Sequence, residues 1–183
     1  MLSHIKKRIL NFTCNSFIMA HPGRPRKCHP KVEALFIDIE KGRNDFVKSV
    51  LKEINIDEPD GEGRTALINA AACNNIDLIK WLLENGANIN YQDGTGYTAL
   101  HFAGQNRVVE LTMFLLSNGA DPNLKDKFGN TPLRTAVHGS ASDRSVMKLM
   151  LQYKGDPDIK NNYGNSPRSL YQLMFNADIS QLT

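Results

Sequence analysis

The sequence predicts an all-α solenoid of stacked helix-turn-helix units joined by β-hairpin loops. Three observations predict it. Gly63, Gly96 and Gly129 stand 33 residues apart, and Thr65, Thr98 and Thr131 keep the same step. Each threonine opens a stretch with helical apolar spacing, as in GRTALINAAA (63–72), GYTALHFAGQ (96–105) and GNTPLRTAVH (129–138). A second motif shares the period: LLENGANIN (82–90), LLSNGADPN (115–123) and a looser MLQYKGDPD (150–158). A fixed period of this length marks one helix pair repeated; a single pair cannot bury its apolar face, so the units must stack.

Taken along the chain, residues 1–30 form a basic leader without pattern, expected to be disordered. Residues 1–31 carry Lys6, Lys7, Arg8, Arg24, Arg26, Lys27 and Lys31 and no acid. Residues 32–183 hold 15 basic and 19 acidic residues, a net of −4. The body is therefore mildly acidic, which favours a basic or neutral partner. Residues 31–59 keep a helix pair, ALFIDIEKGRNDFVKSVLKEINID (34–57), without the hairpin. That suits an N-terminal cap with a polar outer face. Three units follow, at 60–92, 93–125 and 126–160, then a C-terminal cap at 161–178 and a tail at 179–183.

Within a unit, Thr before Ala or Pro reads as an N-cap and first helical position; Pro132 and Pro167 lack an N–H that would be unpaired there. Leu67, Ala70 and Ala71, or Leu100, Ala103 and Gly104, give a face of small residues that permits close helix approach. The second helices carry Leu78, Ile79, Leu82 and Leu83, or Leu111, Leu115 and Leu116, on one face. Gly86 and Gly119 end them where a left-handed residue is wanted.

These residues resemble the ankyrin repeat. The family's TPLH appears as TALI (65–68), TALH (98–101), TPLR (131–134) and SPRS (166–169), and its GADxN as GANIN (86–90) and GADPN (119–123). The resemblance covers roughly residues 32–178. It implies an ankyrin solenoid that binds protein and carries no active site of its own. Departures from the pattern are local. Lys154 replaces the stop glycine, so its turn is expected to be strained or rearranged, and Arg107 replaces a glycine between helices. Two extra residues fall near 138–143.

Several motifs invite other chemistry. DGEGRT (60–65) and DGTGYT (93–98) look like phosphate loops, but they recur with the repeat and lack the trailing Lys-Ser/Thr of a P-loop. Cys14, His21, Cys28 and His29 lack zinc-finger spacing. No cofactor or metal is expected, and no enzyme. The resemblance implies that His101 orders its loop beside Thr98. GRPRK (23–27) has the Gly-Arg-Pro core of an AT-hook, so Arg24 and Arg26 are the residues for any nucleic-acid contact; a plain basic leader is the alternative. Three cysteines are no disulfide framework, so a reducing, cytoplasmic setting is expected. The alternative is export, if residues 1–20 act as a signal. Met19 is an alternative start to Met1. No run of 18 apolar residues spans a membrane.

The resemblance implies a partner surface on the hairpin tips and first helices. The residues are Glu62, Arg64, Tyr91, Thr95, Tyr97, Gln105, Asn106, Lys127, Phe128, Asn130, His138 and Tyr163. Tyr97, Phe128 and Tyr163 are expected side by side along one edge. The chain is expected to be monomeric and to bind another protein. A narrower resemblance is to small ankyrin immunity proteins that neutralise a cognate toxin. The alternative is an adaptor with a nucleic-acid-contacting tail.

Overall fold

The computed structural model describes residues 29–139 and 143–182. The leader, with Cys14, His21, Arg24, Arg26 and Cys28, lies outside the described residues. Unit one comprises α1 (Pro30–Glu33), α2 (Leu35–Glu40) and α3 (Asn44–Leu51). Units two to four are α4 (Ala66–Ala72) with α5 (Ile76–Glu84), α6 (Ala99–Asn106) with α7 (Val109–Ser117), and α8 (Pro132–Gly139) with α9 (Ser145–Gln152). Unit five is α10 (Pro167–Phe175) with a 3-10 helix, Ile179–Leu182.

The helices begin where the sequence caps them. Thr65 Oγ1 accepts from the amide of Ile68, Thr98 Oγ1 from His101, Thr131 Oγ1 from Arg134 and Ser166 Oγ from Ser169. First helices pack in a row, α2 on α4, α4 on α6, α6 on α8 and α8 on α10. Between them and the second helices runs one continuous core, including Leu67, Leu78, Leu82, Leu100, Leu111, Leu115, Leu133, Met147 and Tyr171. The small residues have the role their size suggests. A Cβ on Gly104 would come to 3.0 Å from Met150 Cε and 3.1 Å from the Pro132 carbonyl, so a larger residue there would crowd the contact between α6 and unit four.

No β-strand occurs among the described residues. The joining loops are hairpin-shaped but minimal: the amides of Asp60, Asp93, Asp126 and Asn161 each donate to a carbonyl four residues on. Two residues that replace glycine adopt the glycine conformation. Lys154 has φ +66°, beside +86° and +90° for Gly86 and Gly119, and Arg107 has φ +57°, beside +55° for Asn74 and +68° for Gly42. The Lys154 turn is thus strained without being rearranged.

The two ends differ from expectation. Ile179 is buried against α9 and α10, so packing continues beyond residue 178. At the other end the outer face is only partly polar. The third residue of the second helix is 0% exposed as Leu78, 0% as Leu111 and 1% as Met147, but 54% as Phe46. Ile37 is likewise exposed where Asn69 and Phe102 are buried. Phe46 and Ile37 belong to the first unit of the described residues, and no described unit precedes it.

Candidate functional site

The hairpins between units are built alike, and their construction decides which side chains face outward. In each, one carboxylate or amide oxygen gathers the loop's amides. Asp60 Oδ1 accepts from the amides of Glu62 and Arg64, both at 2.9 Å. Asp93 Oδ1 accepts from Thr95 at 2.7 Å and Tyr97 at 2.9 Å. Asp126 Oδ1 accepts from Phe128 at 2.9 Å and Asn130 at 2.7 Å. Asn161 Oδ1 accepts from Tyr163 and Asn165, both at 3.0 Å. A short polar side chain that bonds the backbone two residues on is a compact way to set a turn. The amide of the tip residue is thereby pulled in, and its side chain is left outside.

Neighbouring hairpins are tied rung to rung. The Glu62 carbonyl accepts from Gly94 N at 3.0 Å, Thr95 from Lys127 N at 2.9 Å and Phe128 from Asn162 N at 2.9 Å. These bonds fix the register: Glu62, Thr95, Phe128 and Tyr163 are equivalent tips. The close approach depends on glycine. At Gly129 (φ +78°) a Cβ would meet Asn162 Oδ1 at 2.6 Å and its amide nitrogen at 2.8 Å.

Among the expected partner residues, Phe128 (54% exposed) and Tyr163 (72%) stand in adjoining equivalent positions with their rings outside the core. Lys127 is exposed beside Phe128, and Glu62 is exposed at the far end of the row. Thr95 is half-buried, its Oγ1 donating to Asp93. Tyr97 is not in this row. It is equivalent to Arg64 and Asn130, one rung position inward. Its ring stacks on His101 at 4.9 Å and meets Phe102 edge-on at 5.4 Å. Burial, with the Asp126 carboxylate as a smaller contributor, raises the Tyr97 phenol above its usual range. The expected row of three aromatics is therefore a pair.

The other inward positions are also scaffold in this arrangement. Arg64 pairs with Glu62 at 2.8 Å, lies 3.6 Å from Asp93 Oδ2 and rests over Phe102. Asn130 donates to Asp126 Oδ2 and accepts from Asn161 Nδ2. Tyr91 packs against the core. On the first helices, Asn106 Nδ2 donates to the Ala72 carbonyl across the unit boundary. Gln105 is half-buried and its Oε1 has no hydrogen-bond partner among the described residues. His138 is exposed at the end of α8.

His101 is fully buried. Its Nδ1 accepts from the Thr98 amide at 3.1 Å, which leaves the proton on Nε2, 3.2 Å from the Asn130 carbonyl. Burial lowers its pKa, so the ring stays neutral. One histidine thus joins the start of α6 to the next hairpin.

Two residues escaped the sequence reading. Lys125 and Lys160 immediately precede the loop-gathering Asp126 and Asn161, and both are exposed. Lys125 Nζ donates to the Lys160 carbonyl at 3.1 Å, so the two lie at neighbouring hairpins. Their shared position with Gln92, whose amide reaches the Lys125 carbonyl at 2.8 Å, was the available signal.

No group of three or more His, Cys, Asp or Glu suited to a metal occurs among the described residues, and no described helix is long and apolar enough to cross a membrane. Comparison with curated proteins gives no match. A family model for ankyrin repeats in three copies matches residues 11–93 and 35–126, and one for ankyrin repeats in many copies matches 105–151. With the stacked helix pairs, the capped TPLH-type turns and the tied hairpins, these matches lead to one conclusion: the chain belongs to the ankyrin repeat family, whose members are in general non-catalytic modules for protein–protein interaction.

Proposed function

We propose that the protein binds another protein stoichiometrically, with Phe128 and Tyr163 as the aromatic anchors of the contact. The observation that carries this reading is their exposure on a stiff support. Both rings project from loops whose backbone is held by a ring of hydrogen bonds and by the 2.9 Å rung between them. Aromatic anchors contribute most when little freedom remains to be lost on binding, and Tyr is enriched at interface hot spots. The fold does not use these rings, unlike Tyr97 and Tyr91, which pack against the core.

The test is co-purification from the native source, followed by titration of the recovered partner. Phe128→Ala with Tyr163→Ala is expected to weaken binding by about thirtyfold, the scale of a hot spot. Full affinity with an intact fold would show that the edge is not the contact. A narrower reading, neutralisation of a cognate toxin, draws support only from the net charge of −4 on residues 32–183. Its test is survival: a recovered partner that is toxic alone and harmless with this protein supports it, and equal toxicity in both cases contradicts it.

A further inference from the structure

We infer that the hairpin edge at Phe128 and Tyr163 receives an acidic polypeptide segment. This inference rests on the proposed edge and specifies the chemistry of what docks there. The observation is the charge around the two rings. Lys125 and Lys127 both precede Phe128 on its hairpin, and Lys160 precedes the Tyr163 hairpin; all three are exposed. None belongs to a salt bridge among the described residues. Lys125 and Lys160 sit at neighbouring hairpins, joined by the 3.1 Å bond from Lys125 Nζ.

The carboxylates nearest to these lysines in sequence, Asp126 and Asp158, are engaged within the protein. Asp126, the nearest in sequence, is buried and accepts from Phe128, from the Asn130 amide and from the Asn130 side chain. Asp158 is held by Arg168 at 2.7 and 3.0 Å. At the opposite end of the row the tip is Glu62, paired with Arg64 at 2.8 Å. The edge therefore runs from an acidic tip through Thr95 to a basic, aromatic pair of tips.

This local sign opposes the net charge of the body. Contact is governed by the nearer charges, because physiological salt largely screens exposed charges separated by more than about 8 Å. Lysines beside an aromatic suit a segment in which Asp or Glu alternates with apolar residues: the apolar groups cover the rings and the carboxylates meet the ammonium groups. A single-stranded nucleic acid also offers anions and stacking faces. Three lysines without an arginine, on a body of net −4, make a poor track for a polyanion.

The experiment uses the full chain and four fluorescent probes: a dodecapeptide alternating Glu with Leu and Tyr, its Gln-for-Glu and Lys-for-Glu counterparts, and oligo-dT of equal length. Anisotropy gives affinities, and amide NMR shifts locate the contact. The Glu peptide is expected to bind about tenfold more tightly than the Gln peptide, with shifts at Lys127, Phe128, Asn162 and Tyr163. The variant Lys125→Glu/Lys127→Glu/Lys160→Glu, checked by circular dichroism, is expected to lose that preference. Equal binding of the Glu and Gln peptides, preference for the Lys peptide, tighter binding of oligo-dT, or no tip shifts with the Glu peptide at millimolar concentration each overturns the inference. With a recovered partner, the two readings separate. If Phe128→Ala/Tyr163→Ala abolishes binding and the lysine variant does not weaken it, the edge stands and the acidic segment is wrong. If neither variant weakens binding, the edge itself is wrong.

Discussion

Lys154→Gly is expected to stabilise the protein, although it removes a side chain and adds none. Lys154 ends α9 with φ +66°, in the position held by Gly86 and Gly119. Its amide donates to Leu151 and its carbonyl accepts from Asn123 Nδ2 at 3.0 Å, so the left-handed turn is bonded at both ends. A residue with a Cβ costs about 1–2 kcal/mol in this conformation. A Cβ at Gly86 or Gly119 would meet nothing within 4 Å, so the cost is backbone strain rather than collision. Glycine relieves the strain but adds about 0.5–1 kcal/mol of unfolded-state entropy to be lost. The net is a gain of about 0.5–1 kcal/mol, or about 1–4 °C in Tm for a chain of this size. Urea and thermal denaturation of wild type, Lys154→Gly and Lys154→Ala measure it. The alanine variant is expected to lie near wild type, since it keeps the strained Cβ. A loss of stability in Lys154→Gly would mean that the residue is not left-handed, and the reasoning would fail.

Three further outcomes follow from the packing. Because burial holds His101 neutral in the fold, the unfolded chain takes up an extra proton below the ordinary value of 6.5. Stability is therefore full above that pH and falls as pH drops through it, by up to about 1.4 kcal/mol per pH unit, and His101→Gln removes this slope in denaturant titrations. Gly129→Ala combines a positive φ with a Cβ 2.6–2.8 Å from Asn162, and is expected to cost about 2–4 kcal/mol; a loss below about 1 kcal/mol would show that the hairpins can part. Leu78→Ala is expected to cost about 2–5 kcal/mol, while Phe46→Ala at the equivalent, half-exposed position costs under about 1.5 kcal/mol, against the usual order of the two residue types. Equal losses would show that Phe46 is covered.

The stack was legible in the sequence because its causes are local and repeated. Thr65, Thr98 and Thr131 cap helices wherever they occur, and Leu78, Leu111 and Met147 fill one recurring site. Lys154 was readable as a substituted glycine, but its outcome was not, since strain and rearrangement have similar costs until the bonds from Asn123 and to Leu151 are known. The edge was half legible. Phe128 and Tyr163 stood out because no packing rule asks for them. Tyr97 misled because two residues of sequence separate the outward tip from the inward position, and only the bonds to Asp93 and Asp126 tell them apart. Lys125 and Lys160 look like any surface charge in the sequence; their significance comes from a neighbour 35 residues away. Phe46 was hidden for a related reason: the helical pattern shows that it faces a neighbour, not whether one is there.

Site-directed photocrosslinking tests the central claim most directly. Benzoylphenylalanine is placed at position 128, at 163, or at the exposed Met113 on α7, in the full chain within its native source. The binding edge predicts one shared crosslinked protein from positions 128 and 163 and none of it from 113. The same protein captured from 113 alone, with 128 and 163 silent, would contradict it.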